Sequence, residues 1–113
     1  MSSSAFSLSI GYAADDFEIV RGEPVIGGLH GNTRHFFCPY CMSWMFTRPE
    51  GLDDFVNVRT TMLDAPPQEP PFVEMYVAEG LPWVKTGAKY SFETLPPMDR
   101  FGSIIAEFSS GQD

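Results

Sequence analysis

The sequence predicts an all-β fold with a short C-terminal helix. Apolar and polar residues alternate through residues 5–12 and again through residues 54–62, and a period of two is typical of strands with one buried face. Between such runs, glycine and proline recur every eight to twelve residues or so, as in meanders of short strands. Because 43% of the 113 residues are hydrophobic and 14% aromatic, the chain can form the core of one domain.

Charge and apolar content exclude two classes of partner. Seven basic and fifteen acidic residues give a net charge of -8, which repels the phosphate backbone of nucleic acids. No apolar run approaches the roughly 20 residues that span a bilayer, and the first residues lack the basic and apolar regions of a signal peptide. We therefore expect a cytoplasmic protein without nucleic-acid or membrane partners.

The other predicted elements are short. Residues 17–20 continue in the style of a strand after the first alternating run, and residues 72–77 and 90–92 predict two later strands. Residues 64–71 contain four prolines, which lack the N–H that a sheet or helix requires. This stretch is therefore predicted to be an extended surface loop.

A helix is predicted only near the C-terminus. Between Asp99, a candidate N-cap, and Gly111, apolar residues follow the spacing i, i+3, i+4 and i+7. They are Phe101, Ile104, Ile105 and Phe108. A helix of this length is not stable alone, so we expect its apolar stripe to dock on the sheet or on another subunit.

Both cysteines, Cys38 and Cys41, lie within the aromatic stretch 36–46. Two thiols at this spacing allow three interpretations: half of a zinc site, a dithiol redox pair, or two small buried hydrophobic residues. A tight turn between strands would direct both sulfurs at one zinc ion, but tetrahedral zinc takes four ligands. His30 and His35 are the remaining candidates.

The letters Cys-Pro-Tyr-Cys are also the active-site motif of glutaredoxins. In those proteins the first cysteine opens a long helix, whose N-terminus lowers the pKa of the thiol. Here Pro49 would end any helix within two turns, and no long amphipathic helix lies upstream. This context argues against a dithiol oxidoreductase.

No other residues predict a catalytic site. The acidic pairs fall in turns, which favour aspartate for conformational reasons, and neighbours in a strand point to opposite faces. These acidic residues are Asp15, Asp16, Glu18, Asp53 and Asp54. Trp44 and Trp83 are predicted to pack in the core or on the sheet.

Residues 37–46 resemble the F-C-P-x-C-G-[ST]-x-[LI]-[FY] signature of the glutathione-dependent formaldehyde-activating enzyme family, which includes centromere protein V. The flanks agree in order: residues 22–24 resemble the family's preceding turn, residues 62–64 its S-L-D-D-P segment, and residues 77–83 its closing strand. The resemblance extends over residues 3–97.

The resemblance implies coiled β-meanders of the β-tent type and a zinc-dependent carbon–sulfur lyase that acts on glutathione-type thiol adducts. It places Cys38 and Cys41 in half of a structural zinc site. The family's catalytic cysteines precede a strand that residues 3–8 resemble. We therefore expect residues 1–97 to be a family-like domain that lacks the N-terminal zinc-ligand region, with residues 98–113 as a tail. No catalytic or cofactor-binding residue is carried over.

Several alternatives stay open at the level of sequence. Met42 stands where the family favours glycine, and we expect a relaxed knuckle there, because methionine rarely adopts positive φ. The thiols are then metal-free, share zinc between two chains, or form a local disulfide. Open sheet edges and the apolar tail predict a homodimer. The chain is accordingly an incomplete lyase with a small thiol adduct as substrate, or a non-enzymatic β module that associates with itself.

Overall fold

The computed structural model describes residues 4–28 and 31–111. The chain forms two compact units, Met1–Pro67 and Gln68–Asp113. Most regular structure in the described residues is strand, with one α-helix near the C-terminus, as the sequence predicts. The elements are β1 (Ser9–Ala13), β2 (Val25–Ile26), β3 (Arg34–Phe37), β4 (Trp44–Arg48), β5 (Phe55–Arg59), β6 (Val73–Glu74), β7 (Tyr90–Ser91) and α1 (Met98–Ser110). No described helix is both long and apolar enough to cross a membrane.

The first unit is built on an antiparallel sheet with the strand order β1-β5-β4-β3-β2. Ser9 pairs with Arg59 at one end of the β1–β5 ladder. In the β3–β4 hairpin the register shifts between Phe36 and Phe37, where a bulge interrupts the ladder. Strands β1 and β2 are the outer strands of this sheet.

The core of the first unit centres on Phe46 of β4. Its ring stacks on Phe36 at a centroid distance of 4.7 Å and an interplanar angle of 12°, and Phe17 lies 4.8 Å away on a tilted ring. Val56 of β5 is fully buried, with 0% exposure. Aromatic contacts of this kind add to the free energy of apolar burial.

Five predicted strands are shorter in the structure or absent, of which β7 lacks only its last predicted residue, Phe92. Residues 17–20 are not a strand, because Phe17 alone packs inward while Ile19 and Val20 are exposed. The first strand begins at Ser9, and β5 ends at Arg59, where a 3₁₀ turn follows. The fourth case lies in the second unit. There β6 stops before Tyr76, whose backbone has φ 57 in the left-handed region, and a 3₁₀ turn begins at Val77.

In the second unit, β6 and β7 form a parallel pair, and α1 contacts β7 and the residue just before β6. Phe108 meets Phe72 edge-on at 5.4 Å, and Tyr90 donates a hydrogen bond of 3.0 Å to Glu107. Ile104 is buried, whereas Ile105 of the same stripe is exposed. The helix therefore has an apolar partner within its own unit, as its short length requires.

The ends of α1 differ partly from expectation. The N-cap is Pro97, and Asp99 lies in the first turn, where its carboxylate complements the positive end of the helix dipole. Gly111 caps the C-terminus as predicted, donating its N–H to Glu107 and Phe108.

The expected burial of Trp83 is also wrong, since this side chain is 71% exposed. It follows a local turn in which Val84 N–H bonds the carbonyl of Leu81.

Candidate functional site

The two cysteines lie in the turn that joins β3 to β4. Cys38 donates its backbone N–H to Ser43 O at 2.9 Å, and Met42 donates its N–H to Cys38 O at 2.8 Å. Phe37 ends the strand before the turn and Trp44 begins the strand after it. This is the hairpin arrangement that the sequence predicts for a knuckle. We call residues 38–43 the thiol knuckle.

Met42 adopts the left-handed conformation, with φ 60. The expectation that methionine relaxes this turn is therefore wrong: the backbone keeps the shape that glycine would adopt freely. A side chain in this region costs roughly 1–2 kcal/mol. The two hydrogen bonds of the turn, together with the paired strands on both sides, hold the conformation in spite of that cost.

The two thiols differ in their surroundings. Both are free, with Cys38 partly buried and Cys41 exposed. Cys41 Sγ lies 3.3 Å from Ser43 Oγ. The Ser43 hydroxyl, then the Ser43 backbone N–H and the Cys38 side chain, lower the pKa of the Cys41 thiol by hydrogen bonding to its sulfur. In a glutaredoxin a helix N-terminus lowers the pKa of the thiol, whereas here hydrogen bonds within the turn lower it.

A cavity of about 500 Å³ lies beside the knuckle. Residues 17–24 form one wall, and Cys38 and Pro39 contribute to another. The remaining lining side chains are mostly apolar and come from the sheet and the turn after it: Met45, Phe46, Val58 and Met62. Concave, largely apolar surfaces with a few polar groups suit small organic ligands. One thiol of the pair thus borders a cavity of that kind.

Neither histidine is shown to join the thiols. His30 lies outside the described residues. His35 is on β3, where its Nδ1 is 2.8 Å from Thr47 Oγ1 and its ring meets Trp44 edge-on at 5.2 Å. Within residues 4–28 and 31–111, no group of three or more His, Cys, Asp or Glu side chains could hold a metal ion. The structure therefore brings together Cys38 and Cys41 but not His35.

The sequence did not predict the polar network around Thr47. This buried hydroxyl accepts a hydrogen bond of 2.9 Å from Trp44 Nε1 and also contacts His35. The Arg59 guanidinium lies over the Trp44 ring at 4.3 Å, and burial lowers the pKa of this arginine. Trp44 thus packs on the sheet as predicted, and its contacts orient the first residue of β4 beside the knuckle.

Comparison with protein families gives a match over most of the chain. The family described as glutathione-dependent formaldehyde-activating enzyme matches residues 1–79. The chain belongs to this family. The matched region contains the whole first unit and the thiol knuckle. Comparisons with curated proteins and with solved structures give no significant match.

Within this formaldehyde-activating family match, two predicted segments have defined positions. The turn at residues 22–24 lines the cavity beside Cys38. Of the predicted segment 62–64, Met62 ends the 3₁₀ turn after β5 and also lines the cavity. The match ends at residue 79. The resemblance of later residues, including Trp83, therefore stays a prediction, as does the division of the chain at residue 97.

The family's implied zinc can be tested against the donors that are present. A structural zinc ion takes four protein ligands in a tetrahedron. The knuckle places two thiols in one tight turn, and no group of three or more His, Cys, Asp or Glu side chains that could hold a metal ion occurs in the described part of the chain. The described residues of this family member therefore do not complete a zinc site. They supply half of one, with the donor type that zinc prefers.

Proposed function

We propose that the chain carries the scaffold of a zinc-dependent carbon–sulfur lyase for glutathione-type thiol adducts but has no such turnover by itself. The observation that carries the proposal is the donor count of the thiol knuckle, two sulfurs. A catalytic zinc ion needs three protein ligands and an open fourth position. Family membership supports the reaction class, because the family match covers residues 1–79 and therefore includes both thiols.

The cavity supports a small thiol adduct as the ligand class. Its apolar side chains can bury a carbon chain. Arg21, which lines the cavity together with Glu18 and Glu23, is a candidate partner for a carboxylate of a glutathione-type molecule. A zinc ion held by a complete set of ligands would supply a positive charge that stabilises a thiolate, but the described residues offer only Cys38 and Cys41 toward such a set. The residues of this chain would position the adduct and exclude water from its apolar part.

The test is to purify the chain without chelators, measure its zinc content, and assay the reaction of formaldehyde with glutathione. We expect no rate above the uncatalysed reaction, for the wild type and for Cys38→Ser alike. Zinc at one ion per chain, with turnover that disappears in Cys38→Ser, would contradict the proposal. In that result His30 and a second subunit are the first places to look for ligands.

The second candidate is a non-enzymatic β module that associates with itself as a homodimer. The observation that favours it is the position of β1, which pairs with β5 on one edge and with no other strand in the described residues. Free strand edges can pair with another chain. Sedimentation distinguishes this candidate from a monomeric, inactive lyase scaffold.

For both candidates we propose a cytoplasmic location, since free thiols persist in a reducing compartment.

A further inference from the structure

We propose that the cavity beside the thiol knuckle binds a single α-amino acid that carries an apolar substituent on its sulfur, a cysteine thioether. The charged head group of this ligand binds to the wall formed by residues 17–24, and its substituent packs on the apolar side chains of the sheet. The inference deepens the proposed function, because it rests on the assignment of this cavity as the ligand site. It names the class of thiol adduct whose charges match the wall.

The wall at residues 17–24 carries charges of both signs. Glu18, Arg21 and Glu23 line the cavity, and all three residues are exposed. Within the part of the chain that the structure describes, none of the three takes part in a salt bridge. An α-amino acid presents an ammonium and a carboxylate side by side. It can therefore pair with a glutamate and with Arg21 at once, through charge-assisted hydrogen bonds.

A glycine shapes the charged part of this wall. Gly22 lies between Arg21 and Glu23 and has φ 84, in the left-handed region that glycine adopts freely. A Cβ at this position would meet no atom within 4 Å apart from its chain neighbours, so the glycine is required by the backbone and not by crowding. The turn at Gly22 thus determines how the cation and the anion on either side of it are placed along the wall.

The rest of the cavity suits an apolar substituent. Phe46 and Val58 line it from the sheet. On the wall itself, Ile19 and Val20 are 47% and 86% exposed. A ligand that covers these side chains removes apolar surface from water, which favours binding. Apolar and charged groups therefore lie in one cavity of about 500 Å³, as an amphipathic ligand of this size requires.

Charge distinguishes a cysteine thioether from a glutathione adduct. Glutathione carries an additional carboxylate and is an anion near neutral pH, whereas a cysteine thioether is a zwitterion without net charge. Among the described residues that line the cavity, Arg21 is the cation, against two glutamates. The second carboxylate of glutathione has no cation here to pair with, and the net charge of -8 repels it. Its peptide groups would also face apolar side chains, which cannot hydrogen-bond to them.

The experiment measures binding, not turnover. S-butyl-L-cysteine, S-butylglutathione and N-acetyl-S-butyl-L-cysteine share one apolar substituent, and each is titrated into the full chain by isothermal titration calorimetry without added metal. We expect S-butyl-L-cysteine to bind at one molecule per chain, about tenfold more tightly than the other two ligands. The acetylated ligand should bind weakly because it lacks the ammonium that pairs with a glutamate.

Variants of the wall locate the binding site. Arg21→Gln should weaken the binding of S-butyl-L-cysteine about tenfold, because it removes the partner of the carboxylate. Val20→Ser should weaken it a few-fold through the loss of apolar contact. Lys85→Gln is the matched control, since it removes the same charge outside the cavity, in the second unit, and should leave the affinity unchanged.

Four results would overturn the inference. They are S-butylglutathione binding as tightly as S-butyl-L-cysteine, equal affinity for the acetylated ligand, equal affinity in Arg21→Gln and Lys85→Gln, and no saturable binding of S-butyl-L-cysteine. The comparison of ligands uses the wild type, so the inference can be refuted even if a variant does not fold. Lyase turnover with glutathione and formaldehyde would refute the proposed inactivity and leave this binding preference intact. A preference for S-butylglutathione without turnover would have the opposite meaning.

Discussion

Met42 and Tyr76 have a left-handed backbone, and among the described residues they are the non-glycine residues that do. Met42 lies in the turn that precedes β4, and Tyr76 lies between the end of β6 and a 3₁₀ turn. At Met42 the turn is the thiol knuckle, so conformational strain is located beside Cys41. Strain of this size persists when the surrounding structure over-determines it, which the paired strands β3 and β4 do here.

Replacing Met42 by glycine should stabilise the protein. Glycine removes the steric cost of the left-handed backbone but loses more conformational entropy on folding, and the balance favours it by roughly 0.5–1 kcal/mol. Urea denaturation followed by far-UV circular dichroism measures the difference. Tyr40→Gly is the matched control, because Tyr40 lies in the same turn without positive φ. It should destabilise, and equal effects of both changes would refute the explanation.

At the scale of residues, the position of the thiols could be predicted and the contacts of Thr47 could not. Cys38 and Cys41 stand at the spacing of a zinc knuckle, between stretches rich in the aromatic residues that favour strands. The pairing of Thr47 with His35 depends instead on the register of β3 against β4. A bulge between Phe36 and Phe37 sets that register locally, and no pattern of residues in the sequence predicts this bulge.

At the scale of elements, α1 is held by polar contacts as well as by its apolar stripe. Lys89 Nζ lies 2.9 Å from Glu107 Oε2, and Tyr90 donates to the other oxygen. Lys89, followed by Tyr90, lowers the pKa of Glu107, and Glu107 in turn raises the pKa of Lys89. Both shifts favour the charged pair in the folded state.

The lowered pKa of Glu107 predicts how acid affects the helix. Its contribution to stability is fully present above the ordinary pKa of glutamate, about 4.3, and is lost as the pH falls through the lower folded value. Wild type should therefore melt at a higher temperature than Glu107→Gln near neutral pH, with the gap closing in acid. Thermal melts between about pH 7 and pH 3 measure this. Glu93→Gln should show no such gap, and a pH-independent gap for Glu107→Gln would contradict the assignment.

The elements themselves were predictable where periodicity was long. Residues 5–12 and 54–62 alternate clearly. β5 lies within the second run, and β1 overlaps the first and extends to Ala13, paired with β5. The predicted ends of the strands were wrong because 3₁₀ turns satisfy local hydrogen bonds where the alternation of apolar and polar residues continues, as after Arg59. The helix was predictable from its apolar stripe. Its contacts with Phe72 and with Tyr90 of β7 make Phe108→Asp a test of helix packing.

At the scale of the whole molecule, net charge predicts the salt dependence of the homodimer proposed as the second candidate function. Each copy carries a charge of -8, and salt screens such repulsion over a Debye length of about 10 Å at 0.1 M. Raising NaCl from about 0.05 M to about 0.5 M should therefore strengthen dimerisation a few-fold. Sedimentation equilibrium measures the dissociation constant. Weakening by salt would mean that opposite charges meet at the contact, which would contradict the prediction.

The order of the strands in the sheet also has a consequence for folding. The β3–β4 hairpin closes over a short loop, whereas β1 must pair with β5, from which most of the first unit separates it along the chain. Contacts between distant residues are slow to form, because loop closure must precede them. During synthesis β1 is made first and has no partner until Phe55–Arg59 has followed. The first strand of the sheet in the sequence is therefore expected to be the last to be incorporated, after the hairpin has already brought its two thiols together.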